Sequence, residues 1–331
     1  MLKRNNYFQL SLLLFIAILL GACQPSGNNP SARWQHAVEG AYAADISNDA
    51  KLSIVSSIHH GLSLWDIESN ALKFNWYQQQ DSADNLVLAA DISDNNSHAL
   101  TASRENFALW NTETGESEGY WKVRDSNIRD IAVSNNGDYI LVGKGNGVVV
   151  HVTLATGRRL EFLGHQEKIN SVDMLPNGRV AISGASDFIA YVWDTKSGQV
   201  IYKFNHPSRV TKVALDPKGR YAFTADSKKA AHIWDLKTGK LVGSLKYTNR
   251  QEVFSSVRFS PDGTTLVTGA PSRKVSLWNI VSGKRLSSWR VTAREDIRPA
   301  GAVVYSVAFS DNNQILTESS SGYAELWPIP Q

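Results

Sequence analysis

Ile189-Ala190-Tyr191-Val192-Trp193-Asp194-Thr195-Lys196-Ser197-Gly198 is a short run of strand-forming residues that ends on Trp-Asp and breaks at Ser-Gly. β-Branched and aromatic residues in a run of this length suit a strand, and the glycine permits the positive φ that a tight hairpin turn demands. Outward from this stretch the same device recurs at Leu64-Trp65-Asp66, Leu109-Trp110-Asn111, Ile233-Trp234-Asp235, Leu277-Trp278-Asn279 and Leu326-Trp327-Pro328. A further copy lies between Trp110 and Trp193. Gly143 to Gly157 aligns without a gap on Gly184 to Gly198, which puts Val152-Thr153 in the Trp-Asp place. Successive landmarks are 45, 42, 41, 41, 44 and 49 residues apart. A repeat of this length, built from short strands and turns, is the period of a four-stranded propeller blade.

Other features keep phase with the tryptophans. A turn follows each of the first six landmarks, at Ser69-Asn70, Thr114-Gly115, Thr156-Gly157, Ser197-Gly198, Thr238-Gly239 and Ser282-Gly283. A second turn lies upstream in several repeats, as in Pro176-Asn177-Gly178 and Ser260-Pro261-Asp262-Gly263. Val257-Arg258-Phe259 and Val275-Ser276-Leu277 alternate with the period of two that marks a strand. Ala43 to Ser47 and Ala89 to Ser93 are the same pentapeptide, Ala-Ala-Asp-Ile-Ser. No segment has the period of a long helix, so the chain reads as all-β: a seven-bladed β-propeller.

With these repeats in view, Arg33 to Gln331 resembles the WD-repeat family. The repeat around Trp193 is the most faithful. Its His165, Ser183, Asp187 and Trp193 match the family's structural tetrad, which the resemblance implies is a buried hydrogen-bonded chain. The next repeat keeps His206, Thr224 and Trp234 but has Lys228 at the Asp position, so its network is expected to be incomplete. The remaining repeats keep a Trp or a Thr (Thr268, Thr317) without the His–Asp pair. Only Pro328 to Gln331 follow Trp327, and two prolines cannot supply ladder donors, so the last blade lacks an outer strand. The resemblance implies that Arg33 to Val38 pairs there, closes the ring and removes exposed edges.

The N-terminus carries Lys3 and Arg4, then an unbroken apolar run from Leu12 to Leu20. That run is too short to span roughly 30 Å of hydrocarbon but has the length of a signal-peptide core. Leu20-Gly21-Ala22-Cys23 resembles the lipobox of bacterial lipoproteins, which implies a signal peptide over 1–22 and lipid on Cys23. Several acyl chains anchor firmly where one binds marginally. Gln24 after the cysteine, rather than Asp, implies the outer membrane. Cys23 is the only cysteine, so no intramolecular disulfide forms. Residues 23–32, rich in Pro, Gly and Ser, read as a flexible lipidated tether leading into a propeller over 33–331. Without Lys3 and Arg4 the chain has 32 basic and 31 acidic residues, and no basic arm that would suit nucleic acid.

Several groups resemble chemistry. Ser183, His165 and Asp187 are the residue types of a hydrolase triad, but Ser183 falls inside a strand and no Gly-x-Ser-x-Gly elbow occurs. Gly143, Gly145 and Gly147 lie in a hairpin with no helix behind them to receive a phosphate. His59-His60 has no third ligand at a useful offset. The Thr-Gly and Ser-Gly turns lack the Trp spacing of quinoprotein propellers. No catalytic residue, cofactor or metal is therefore assigned.

The candidate partner-binding residues are Arg209, Lys228, Lys229, Arg250, Arg273 and Lys274. They fall in links and inner hairpins of the fifth and sixth blades, against Asp226 and Glu252. The loop from Val291 to Gly301 is longer than its counterparts. The expectation is a monomeric, non-enzymatic scaffold, lipid-anchored at the periplasmic face of the outer membrane, that binds envelope proteins or peptides, acidic where they meet the basic sector. The alternative is a propeller hydrolase or lyase with its active site in the central channel.

Overall fold

The computed structural model describes residues 29–57, 61–77, 86–247, 252–295 and 297–330. The chain divides into two units, Met1–Pro30 and Ser31–Gln331, and the second holds seven four-stranded antiparallel sheets. They form a ring, so the chain is a seven-bladed β-propeller. From channel to rim, blade 1 runs from Ala43–Ile46 to Ala71–Trp76, blade 2 from Ala89–Ile92 to Ser117–Lys122, and blade 3 from Ile128–Val133 to Arg158–Phe162. Blade 4 runs from Ile169–Met174 to Val200–Asn205, blade 5 from Val210–Leu215 to Leu241–Ser244, and blade 6 from Ser256–Phe259 to Arg285–Arg290. No helix among the described residues is long and apolar enough to cross a membrane.

Burial explains why the strands differ in sequence. The third strand of blade 4, Ile189–Asp194, is buried along both faces: Ala190 and Val192 pack against Val210 and Val213 of blade 5, while Tyr191 and Trp193 face Leu141 and Phe162 of blade 3. A strand covered on both sides reads as a continuous apolar run. The outer strand Val200–Asn205 is mostly exposed and alternates. At the tryptophan of blades 1, 2, 4, 5 and 6 the pairing with the outer strand slips by one residue, as between Val192 and Trp193. In blade 3 the pairing runs straight from Val149–Phe162 to Thr153–Arg158. The blade without the tryptophan also lacks the bulge.

Closure follows the expected route. Ala32–Gln35 pairs antiparallel with Tyr323–Pro328 of blade 7, with Ala32 opposite Leu326 and Gln35 opposite Tyr323. The pairing ends at Gln35 rather than Val38, because the His36 N–H and Ala37 N–H turn to the Gly322 carbonyl at 2.9 and 3.1 Å. The buried His36 then fastens the seam. Its Nδ1 lies 2.6 Å from Glu318 Oε1, Ser53 Oγ donates to the same oxygen at 2.7 Å, and its ring stacks on Trp65 at 4.4 Å. Burial alone would lower the His36 pKa, but the Glu318 carboxylate outweighs it and the net shift is upward.

Candidate functional site

In blade 4, His165 comes from the link entering the blade, Ser183 from its second strand, Asp187 from its inner hairpin and Trp193 from its third strand. His165 Nδ1 is 2.9 Å from Asp187 Oδ2 and His165 Nε2 is 2.9 Å from Ser183 Oγ. Asp187 also accepts the N–H groups of Gln166 and Ile189. Burial would raise the Asp187 pKa, but these donors and His165 together hold it below the usual carboxylate value. The expected chain stops there: the Trp193 indole N–H is buried with no hydrogen-bond partner, and the ring stacks on Phe162 at 4.7 Å. In blades 2, 5, 6 and 7 the indole does reach a hydroxyl, and each time it belongs to a threonine: Thr101, Thr224, Thr268 and Thr317. Ser183 lacks the branch that restricts a threonine's rotamer, and its hydroxyl meets the imidazole alone. Ser183 is fully buried, so no substrate reaches it.

Blade 5 has the complementary gap. His206 Nε2 and the Trp234 indole both meet Thr224 Oγ1, at 2.9 and 2.8 Å, but His206 Nδ1 has no partner. The hairpin of this blade is held by Asp226, whose Oδ1 accepts the N–H groups of Lys228, Lys229 and Ala230. Burial, with nearby His232, lowers the His206 pKa to about 4.

The basic sector differs from the sequence expectation. Asp226 is fully buried in its turn, and Glu252 is buried against Lys274 at 3.0 Å and Arg285 at 3.6 Å. Neither acid belongs to the surface, and Lys274 is not a free cation. Arg273 sits half-buried, its Nε donating to the Val291 carbonyl. Arg209, Lys228 and Lys229 remain exposed, in the blade 4–5 link and the blade 5 inner hairpin. Arg250, Cys23, His59 and His60 lie outside the described residues.

The acids of the inner strands, scattered in sequence, gather in the central channel, a cavity of about 230 Å³. Asp45, Asp91, Asp130 and Asp173 each accept a backbone N–H from the next blade, of Ile92, Val133, Val172 and Leu215, at 2.7–3.0 Å. Arg258 donates to the Ile46 and Val307 carbonyls, and Ser306 accepts from Ile46 N–H and donates to Asp45. These bonds tie neighbouring blades together. Burial, with Asp45 and Asp173 nearby, raises the Asp91 pKa well above its ordinary value, and burial raises Asp173 to about 6. Among the described residues no group of three or more His, Cys, Asp or Glu is placed to hold a metal.

Three stretches, residues 157–194, 198–235 and 239–279, match the WD40 family model, WD domain, G-beta repeat. Each starts at a turn glycine and ends just after a tryptophan, so one sequence repeat takes the outer strand of one blade and three strands of the next. The chain is similar to the WD repeat-containing protein SL1-17 of Schistosoma mansoni, 27% identical over 164 residues, which cover 49% of this chain and 53% of that protein. It is also similar to pre-mRNA-processing factor 19 of Caenorhabditis elegans, 25% identical over 166 residues, 49% of this chain and 32% of that protein. The similarity thus spans about half the length of the first relative and a third of the second. Together with the seven-bladed ring, these matches support a WD-repeat β-propeller.

Proposed function

We propose that this propeller is a non-enzymatic protein-binding scaffold, held by lipid on Cys23 at the periplasmic face of the outer membrane. The observation that carries the reading is the pairing of WD-type blades with burial of the one triad-like group. His165, Ser183 and Asp187 are committed to joining a hairpin to its blade, and Ser183 has no exposed surface. The inner-strand aspartates are likewise occupied with blade-to-blade bonds. What remains open to a partner is surface, including the exposed cations Arg209, Lys228 and Lys229, which favour an acidic protein or peptide. The lipobox-like Leu20-Gly21-Ala22-Cys23 and the residue after it support the anchor and its location.

In-cell cross-linking of the full-length protein, followed by mass spectrometry, tests the reading. The expected result is a reproducible set of envelope proteins, reduced when Arg209, Lys228 and Lys229 are changed to Glu. Labelled fatty acid should enter the wild type and not Cys23→Ser. A wild-type protein that captures nothing, or one that stays soluble and unlabelled, overturns the scaffold or the anchor respectively.

A further inference from the structure

Blade 3 lacks every member of the tetrad. Arg124 stands 28 residues before Val152, as His165 stands 28 before Trp193. On the same alignment Val142 replaces Ser183 and Asn146 replaces Asp187. The polar chain and the indole are therefore gone together, and the space between blades 2 and 3 is open. A groove of about 560 Å³ lies there, with Val142, Val150, Val152 and Phe107 along its apolar wall. Its size suits a small ligand or a large side chain with its flanks.

In three other blades the corresponding space holds an indole stacked on an aromatic ring of the preceding blade. Trp110 lies 5.0 Å from Trp76, Trp193 lies 4.7 Å from Phe162, and Trp234 lies 4.1 Å from Phe204. Trp121 occupies the place of Phe204 in blade 2, six residues after its turn glycine, but finds no indole across the gap. It remains half-buried and stacks on Phe107 at 5.2 Å instead. A ring arriving from outside would enter beside Val152, the most exposed residue of a wall whose Phe107, Val142 and Val150 are buried.

The rim supplies charge. Lys122, Arg124, Lys144 and Arg159 line the groove against Asp125 and Glu161, and Lys122 also pairs with Glu105 at 3.4 Å. Lys144 is fixed: its side chain is 3% exposed and its ammonium lies 2.6 Å from Asp125 Oδ2. Asp125 is on a link and its side chain is 60% exposed, so this pair closes the groove floor, and an incoming carboxylate meets the exposed cations Arg124 and Arg159 at the rim. We infer that this groove binds a segment of a partner protein that places an aromatic side chain between carboxylates. The inference rests on the scaffold reading and gives it a site, away from Arg209, Lys228 and Lys229.

The test uses purified full-length protein in detergent and a fluorescein-labelled peptide, Glu-Asp-Trp-Glu-Asp, read by anisotropy. Controls are the same peptide with Ala for Trp and with Lys for the acids. Val152→Phe fills the groove without adding a buried donor that would need a partner. It should weaken binding at least about tenfold, with a midpoint of thermal unfolding no lower than wild type. Arg159→Glu, at an exposed position, should weaken binding about threefold or more and flatten its salt dependence. If Val152→Phe fails to fold, the Arg159→Glu result decides. Equal binding by the Ala peptide, or unchanged binding in the folded variants, overturns the site. Laurate binding that Val152→Phe abolishes, with no peptide binding, overturns the peptide in favour of a fatty acid. Cross-linking separates the two claims. A wild type without partners defeats the scaffold, whereas a partner set unchanged by Val152→Phe defeats only the groove.

Discussion

Blades 3 and 4 are neighbours whose hairpins align without a gap, yet they hold themselves together in different ways. Blade 4 joins its hairpin to its entering link through Asp187, His165 and Ser183, and fills its boundary with blade 3 by stacking Trp193 on Phe162. Blade 3 has an arginine, a valine, an asparagine and a valine at those positions, a straight outer strand and a groove on the side facing blade 2. Both have four complete strands. Backbone pairing and apolar burial are thus enough to make a blade in this ring, and the tetrad is an added fastening. Where the indole is absent as well, as in blade 3, the boundary opens into a groove.

The sharpest way to break this comparison is to empty blade 4. Trp193→Ala should cost about 3–5 kcal/mol through the cavity it leaves. Val152→Ala, beside a groove that is already open, should cost well under half as much. Chemical denaturation of both variants measures the difference, and equal losses would mean that the indole is not the packing element that distinguishes the blades.

Asp187→Ala comes next. It leaves His165 and the Gln166 and Ile189 N–H groups without their acceptor, at about 1–3 kcal/mol. Asn146→Ala, at the exposed equivalent in blade 3, and Lys228→Ala, exposed in blade 5, should fall within about 0.5 kcal/mol of wild type. The Asp187 pKa is depressed in the folded ring, so its contribution is present above the unfolded carboxylate value near 3.8 and lost as pH falls through the folded value. The gap between wild type and Asp187→Ala should therefore close in acid. A gap that persists there would show that packing, not the carboxylate, carries the effect.

Ser183→Thr sharpens the same comparison from the other side. The threonines of blades 2, 5, 6 and 7 meet their indoles, while Ser183 leaves Trp193 without a partner. Supplying the branched hydroxyl should raise stability by about 1 kcal/mol, the net worth of one hydrogen bond. No gain would mean that strand placement, rather than the rotamer of residue 183, keeps the indole N–H unpaired.

The difference between these blades was only partly legible in the sequence. The 41–49-residue spacing gives the ring because each tryptophan ends the same strand, and the proline-rich end at Pro328 points to the borrowed outer strand. The partners of His165 follow from matching a motif whose members keep fixed offsets. The groove does not, because it is made of what blade 3 lacks, and the missing bulge shows only once strands are paired. The burial of Asp226 and Glu252 was also hidden: residue type reports charge, while an acid that caps its own turn or pairs with Lys274 is recognised only in three dimensions. The Ala-Ala-Asp-Ile-Ser repeat was visible, but the role of Asp45 and Asp91 depends on N–H groups one blade further on. His36 and Glu318 meet across nearly the whole chain, where no local pattern reaches.

The smallest expected effect probes the other side of blade 3, where His151 takes the position that Val192 holds in blade 4. Val192 packs against apolar residues of blade 5, whereas His151 faces blade 4 beside a second groove of about 560 Å³. His151 is buried with neither nitrogen hydrogen-bonded, and it stacks on Tyr139 at 5.3 Å. Burial lowers its pKa to about 4; the nearby Gly178 carbonyl opposes the shift without making a bond of good geometry, and Arg158 adds to it. A histidine with a depressed folded pKa binds fewer protons than in the unfolded chain. Its stability is therefore complete above the unfolded value of 6.5 and falls as pH drops toward about 4. His151→Val removes two unpaired polar atoms and this titration together. At pH 7.5 the variant should match wild type or exceed it by up to about 1 kcal/mol. Between pH 6.5 and 4 its advantage should grow, because only the wild type must lose protons it binds when unfolded. Denaturant midpoints measured across that range supply the test. Parallel pH curves for the two proteins would mean that His151 is solvated or partnered in solution, and that its side of blade 3 does not bury an unpaired imidazole.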